Sequence, residues 1–536
     1  MRRAGWYVIH ALRAATAAPC PALLLFDTPS PPRYTFHGGG LITVNGQPPT
    51  VNRMYNDLSD FISRLEREGE LRRIKTPVDP ELEITEIADR TVKAGGPALL
   101  FEDPVGSKIP VLINAMGSEK RMAMALGVDD VEDVARELEQ TIRPHVGEGI
   151  VGKLKALPAV MRLAGALPST VKSGPCQQVV LKGEKASLSE LPILKCWPRD
   201  GGRFVTLPIV ITKDPKTGVR NVGMYRMHVY DERTTGMHWH AHKGGARHYR
   251  EHERLGRRME VAVALGGDPA ITYAATAPLP DDVDEMIFAG FIRKRSVEMI
   301  QCKTIDQQVP AGSEIVIEGY VDPGETRIEG PFGDHTGYYS PADQYPVFHV
   351  TCVTRREKPV YPATIVGRPP MEDCYMAAAT VRIFLPLIRL QLPEIVDMSL
   401  PMEGVFHNLA VVSIHKGYPR HAQKVMHALW GLGQLMFTRI VVIVDEDVNP
   451  RDMSEVLWRL GNNIDPRRDV TFVDGPVDVL NHASPQPCYG SKMGIDATRK
   501  WKSEGFEREW PADIEMSDPV RAKVDKLWRE LGIQDG

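Results

Sequence analysis

From Asn56 onward, Leu58, Phe61, Ile62 and Leu65 recur at spacings of three and four, one face of an α-helix, and Gly69 ends the run. A short strand is predicted over 71–74. The stretch PELEITEIADRTVKAGG then reads as a helix, with Pro80 in its first turn and Gly95-Gly96 as its stop. PALLFED and IPVLINAMG read as buried strands and VDDVEDVARELEQTI as a helix, so residues 54–165 are expected to form an N-terminal α/β unit.

Between 175 and 370 the pattern changes to strand candidates: QQVVLKG, TLPIVITKD, NVGMYRMHVYD, GMHWHAH, AITYAATAP, SEIVIEGYV and YPVFHVTCVTRR. Short β-runs separated by turn residues predict a barrel-like sheet. A third unit, 375–500, follows an apolar stretch interrupted by Pro386. Its strand NLAVVSIHKG, helix over 420–433, strand TRIVVIVDED and helix over 453–461 predict a βαβ arrangement on a parallel sheet. The expected class is therefore α/β with an α+β middle. In the tail, 515–533, Val520, Val524, Leu527, Trp528 and Leu531 share one helical face. That stripe must be covered by its own domain, the default, or by a second subunit.

A length of 536 residues exceeds one ordinary core, which agrees with two or three domains. The net charge of −4 gives no electrostatic case for nucleic acid. Seven cysteines without a CxxC pair suggest neither a disulfide framework nor a zinc knuckle, and fit a reducing cytoplasm. No run of about 18 apolar residues is present to span a membrane. Residues 1–53 carry Asp27 as their one acid against Arg2, Arg3, Arg13, Arg33 and Arg53, and are expected to be a poorly ordered extension, with Met54 as the initiator.

Two segments carry chemistry. In EGPFGDHTGYY, residues 329–339, Glu329 and Asp334 stand on a stretch shaped by Pro331 and three glycines, either a ligand-facing loop or a plain turn with capping acids. Residues 221–245 include Asn221, Arg226 and HWHAHKGG. As a hairpin this segment would put His238, His240 and His242 on one face, a spacing that suits a metal but also a polar sheet face. Lys243 followed by Gly244-Gly245 offers backbone amides beside a cation, as a phosphate requires. Asn221 and Arg226 nearby suggest a nucleotide cofactor whose phosphate is bridged by a divalent ion.

These segments, together with MYNDLSDFI, ITEIADRTVKAGGPALLFE, EMIFAG and YGSKMGIDATRKW, resemble the UbiD family of prenylated-FMN-dependent decarboxylases. The resemblance runs in order over all but the first 53 residues and the extreme C-terminus. It implies a central split-barrel flavin domain and a metal, Mn2+ or Mg2+, held by Asn221, His242 and Glu285, with K+ as a further ion. It implies cofactor contacts from Met224, Tyr225, Arg226, His238, Trp239, His240, Lys243, Gly244 and Lys416, His240 not being a metal ligand. The implied catalytic residues are Asp334, Glu329 and Arg226.

Removal of CO2 from an aromatic acid needs an electron sink, which the cofactor supplies, and a proton donor. Arg226 would hold the substrate carboxylate and keep Glu329 ionised, while Asp334, protonated in a low-dielectric setting, would face the ring as donor. His335 would serve as a supporting hydrogen-bond partner. The resemblance further implies a 4-hydroxy-3-polyprenylbenzoate-like substrate of ubiquinone biosynthesis, or a dihydroxynaphthoate of menaquinone biosynthesis. It also implies a flavin prenyltransferase as cofactor supplier, and dimers or hexamers built partly through the tail helix. A greasy substrate implies at most peripheral contact with the inner membrane face. A histidine-metal hydrolase and a cofactor carrier without turnover are the competing readings.

Overall fold

In the computed structural model, the structure describes residues 54–142, 164–240, 243–280, 283–528 and 530–532; the expected extension at 1–53 lies outside them. The first helix, Leu58–Arg67, is capped by the Asp57 side chain accepting from the Asp60 amide, and it buries Leu58, Phe61, Ile62 and Leu65. The next helix starts later than its sequence suggests. It spans Glu83–Lys93, with Leu82 before it at φ 70°. The cause is pairing outside the helix: the Pro80 carbonyl accepts from the Lys195 amide and the Leu82 amide donates to the Lys195 carbonyl, which bridges Glu81 to Lys195 and keeps 80–82 out of the helix. Strands Leu71–Ile74, Ala98–Phe101 and Val111–Ile113 form a sheet completed by Tyr361–Pro362 from the middle of the chain.

The central nine-stranded sheet is antiparallel throughout. Its spine is the pair Ile315–Glu329 and Asp343–Arg355. Between Val321 and Thr326 the first strand advances five positions while its partner, Phe348 to Pro346, advances two, so an irregularity interrupts the ladder. The extra residues are tied down by Asp322 to Arg258, 2.7 Å, and by Glu325 to His349, 2.7 Å. AITYAATAP is not a strand: Pro269–Ala274 is a helix capped by Asp268, with all six residues buried. A fully buried apolar run carries no alternation from which to tell strand from helix.

The C-terminal sheet has parallel strands Leu409–Ile414, Ile440–Asp445 and Tyr489–Asp496 at its centre, with antiparallel strands at both edges. The helix Glu372–Gln391 runs through Pro386 and connects two cores. Met376, Ala379, Ile383 and Phe384 join the cluster containing Leu58 and Phe61, while Val381 and Leu385 join that of the C-terminal sheet. The tail helix Asp518–Trp528 buries none of its residues, and Val520, Val524, Leu527, Trp528 and Leu531 stay 36–58% exposed. The default expectation that its own domain covers the stripe is not met. Among the described residues, no helix is long and apolar enough to cross a membrane.

Candidate active site

The strand Arg220–Met224 ends directly before Tyr225-Arg226, and the chain resumes as Met227–Val229 paired with Thr234–Met237. Beyond Met237, the His238 amide donates to the Arg226 carbonyl at 3.3 Å, which ties the two irregular segments together. Arg226 and His238 reach one polar cluster, while their neighbours Tyr225 and Trp239 meet edge to face at 6.5 Å beside a second.

In the first cluster, Glu329 ends the long strand with no exposed surface. Arg226 grips it with two parallel bonds, Nε to Oε1 at 2.8 Å and Nη2 to Oε2 at 3.2 Å. Gly330, at φ 89°, then turns the chain into a two-residue hairpin, Phe332–Gly333 with Tyr339–Ser340. The hairpin is pinned by buried Asp200, whose Oδ1 accepts from the Gly333 amide at 2.7 Å. It delivers Asp334 to Arg226 Nη1, Ser340 Oγ to Nη2 at 3.0 Å, and the Phe332 ring to 4.5 Å from the guanidinium.

Both acids therefore bind the same arginine, which corrects the expectation that only Glu329 faces it. Burial alone would raise both carboxyls. In Glu329 the His238 bond and Arg226 outweigh burial and hold it down at about 2. In Asp334, Arg226 and His335 outweigh it and hold the group well below the usual carboxylate range. At rest Asp334 is an anion, not the protonated donor expected. Its second oxygen accepts from His335 Nδ1 at 2.7 Å, so His335 is a direct partner of the acid.

Two of the three histidines expected on one face are brought together, though not on a strand. The strand ends at Met237, so strand alternation does not extend to His238 and His240. Their Nε2 atoms lie 2.6 Å apart, and His238 Nδ1 contacts Glu329 at 3.1 Å. His242 lies outside the described residues.

The second cluster surrounds the N-terminus of the helix Gly244–Arg254. A Cβ on Gly244 would lie 1.8 Å from Asn221 Oδ1, and one on Gly245 would lie 2.7 Å from Trp239 Nε1. Asn221 Nδ2 and Trp239 Nε1 are buried without a hydrogen-bond partner. Tyr225 Oη accepts from the Gly245 amide at 3.3 Å, and Lys243 donates to Gln434 at 3.1 Å. Glu285 accepts from the Val222 amide at 2.9 Å, next to Asn221, and burial pushes its carboxyl up to about 8. The Met224 amide donates to the Ala275 carbonyl, and its side chain packs on the adjoining core. Lys416 is not brought here: Nζ donates to Glu504 at 2.6 Å, to Thr498 and to the Arg499 carbonyl, all within the C-terminal unit.

Sequence reasoning missed several groups around Asp334. His407 contacts His335 Nε2 to Nε2 at 2.9 Å, and Thr336 bonds His482 at 3.0 Å. The Asp373 carboxylate is buried with neither oxygen in hydrogen-bond geometry, beside the Cys374 thiol and amide, and burial pushes it up to about 7. Thr336 stands in the EGPFGDHTGYY segment, whereas His407, His482 and Asp373 stand in no recognisable motif. Away from both clusters, Asp322, Glu325 and His349 could also group round a cation. Arg258 already pairs with Asp322, and His349 contacts Glu325.

Family models match the chain in order: the N-terminal domain of 3-octaprenyl-4-hydroxybenzoate carboxy-lyase over 62–139, its Rift-related domain over 169–369 and its C-terminal domain over 374–497. An uncharacterized protein of Aquifex aeolicus is 53% identical over 483 residues, 90% of this chain and 99% of its own. Vanillic acid decarboxylase of Sedimentibacter hydroxybenzoicus, in closed form, matches with a TM-score of 0.79 at 28% identity, covering 89% of this chain and 99% of that one. The UbiD-class enzyme HmfF of Pelotomaculum thermopropionicum, in complex with FMN, matches with a TM-score of 0.73 at 30% identity, covering 88% and 99%. With three consecutive domains matched and half its residues shared with a full-length relative, this chain belongs to the UbiD family of prenylated-FMN-dependent decarboxylases.

Proposed function

We propose that the chain releases CO2 from a hydroxylated aromatic acid, with Arg226, Glu329 and Asp334 as its catalytic residues. The observation that carries this reading is the grip of one buried arginine on two carboxylates. Tyr225, next to Arg226, accepts from the Gly245 amide at a glycine-lined helix N-terminus, and Trp239, next to His238, carries an orphaned indole N–H. The second cluster fits prenylated FMN. A helix N-terminus that excludes a Cβ suits a phosphate, and the unpartnered Asn221 and Trp239 groups are donors awaiting an acceptor. Asn221 and Glu285, with His242, make a mixed nitrogen and oxygen set suited to Mn2+ or Mg2+. Met224, Tyr225, His238, His240, Lys243 and Gly244 would line the cofactor, and Lys416, spent on Glu504, drops out.

When bound, prenylated FMN supplies the sink for the electron pair left by departing CO2. Arg226 receives the substrate carboxylate by fork-to-fork pairing, in competition with Asp334. Glu329 stays ionised and holds the guanidinium in plane. Asp334, released from the arginine, regains an ordinary affinity for a proton and delivers it to the ring carbon, balancing the reaction as ArCOO⁻ + H⁺ → ArH + CO2. We read 54–165, 175–370 and 375–500 as the three domains, the central one as flavin-binding.

The substrate we favour is a 4-hydroxy-3-polyprenylbenzoate, with a flavin prenyltransferase supplying the cofactor in the cytoplasm. The exposed stripe of the tail helix favours docking on a second copy; a dimeric form is known for an evolved HmfF. The test is Asp334→Asn in protein co-expressed with a flavin prenyltransferase, assayed for CO2 on hydroxybenzoates and dihydroxynaphthoates. The variant keeps the flavin absorbance and loses turnover. Undiminished CO2 release would overturn the assignment of Asp334.

A further inference from the structure

Each turnover consumes one solvent proton, yet Asp334 is buried and both its oxygens are occupied, one by Arg226 and one by His335. The histidine is the group nearest the donor that can carry a proton. Its Nδ1 faces a carboxylate and must bear hydrogen. Its Nε2 meets His407 Nε2 at 2.9 Å, a contact that needs one donor and one acceptor.

The surrounding charges decide which ring is charged. Burial opposes charge on His335, but Asp334 outweighs it, helped by Asp373 and Asp478, and its affinity for a proton is raised. Burial, then repulsion from His335 and Lys243, depress His407 to about 4 against the pull of Asp478 and Asp334. His335 is thus an imidazolium donating at both nitrogens, and His407 is neutral, accepting at Nε2.

His407 does not come from the central sheet. It sits in the loop after Met402–Gly404 that leads into the C-terminal sheet, and the two residues before it, Val405 and Phe406, both adopt left-handed backbone at φ 54° and 44°. Such non-glycine positions are strained and persist only where the surroundings impose them. Here they place the Phe406 ring against His335 at 5.3 Å and His407 at its far nitrogen.

We propose that His335 is the proton reservoir for Asp334 and that His407, a positioning residue, keeps that reservoir loaded only while the C-terminal unit is docked. This rests on the decarboxylase reading above. When substrate takes the guanidinium, the His335 Nδ1–H bond breaks and an O–H bond forms on Asp334, leaving a neutral imidazole. Asp334 then passes the proton to the ring carbon and returns to carboxylate. A solvent proton restores the imidazolium after product leaves. Both histidines act through Asp334 rather than on the substrate.

The test uses the full chain as holoenzyme, with His335→Gln, His407→Gln and His407→Leu. In wild type, kcat falls as pH rises through the raised value of His335. His335→Gln lowers kcat by about 100-fold or more with KM within about threefold, and it abolishes that alkaline limb. His407→Gln, which keeps an acceptor for Nε2–H, retains kcat within about threefold. His407→Leu loses at least about tenfold at neutral pH and moves the limb to lower pH, with the flavin spectrum unchanged. In parallel, histidine 15N NMR of the chain without cofactor follows His335 directly. A midpoint above 6.5 that drops in His407→Leu is expected; one at or below 6.5 overturns the proposal. A wild type that releases no CO2 from any aromatic acid sinks the decarboxylase reading and the reservoir with it. A wild type that turns over while His335→Gln keeps rate and limb sinks the reservoir alone.

Discussion

Arg226 and Glu329 meet edge to edge, Nε to Oε1 at 2.8 Å and Nη2 to Oε2 at 3.2 Å, with the carboxylate wholly out of water. A pair so buried contributes little net stability when whole, but either half alone is a stranded charge. Arg226→Ala would leave two carboxylates facing each other. We expect it to destabilise the fold by about 3–5 kcal/mol in urea unfolding, with decarboxylation lost. Arg226→Lys keeps the charge without the fork and should recover folding more than activity.

The same pair sets an acid limit. Glu329 is held at about 2 against an ordinary 4.5, so its contribution is fully present above 4.5 and is lost as pH falls towards 2. Glu329→Gln should therefore flatten the stability profile in that window. An acid limb of unchanged steepness would mean that other carboxylates govern it.

At the second cluster, Gly244→Ala puts a methyl 1.8 Å from Asn221 Oδ1, a contact that backbone or carboxamide must relieve. Flavin content of the purified protein should drop by at least about tenfold while the thermal midpoint shifts by no more than a few degrees, alanine being a good helix residue. Glu285→Gln should lose bound Mn2+ by metal analysis and keep its circular dichroism.

The tail makes a prediction of mass rather than of chemistry. Because no residue of Asp518–Trp528 is buried in its own chain, ending the chain after Ser517 should leave the unfolding transition of the isolated subunit in place. Light scattering should meanwhile report a smaller assembly. Loss of folding with no change of assembly would count against docking on a second copy.

Elements with one wet face, or with a β-branched run between turn signals, were readable from sequence. Leu58, Phe61, Ile62 and Leu65 announce their helix because the other face is polar, and Leu409–Ile414 with Ile440–Asp445 follow from buried β-branched runs separated by a helix. Pro269–Ala274 did not, since a segment apolar on every side has no period. Arg226, Glu329 and Asp334, the residues proposed for catalysis, stand in local motifs. Their shared pairing could not be read there, because the Arg226–Asp334 contact joins residues 108 apart and depends on how the hairpin folds back. The ionisation of Asp334 was misjudged for the same reason. Burial alone points to a protonated donor, while the adjacent arginine and histidine decide the sign. His407 carries no local signature, standing 72 positions beyond its partner.

The irregularity between Val321 and Thr326 works as slack in the long strand. Its three extra residues lie between two stretches whose pairing is fixed separately, Gly319–Val321 against Val350–Phe348 and Thr326–Glu329 against Pro346–Asp343. A strand that slips by one residue presents its other face, so the register of the second stretch, and not the length of the loop, aims Glu329 at Arg226. The loop lets that register be held without being dictated by the hydrophobic ladder before it.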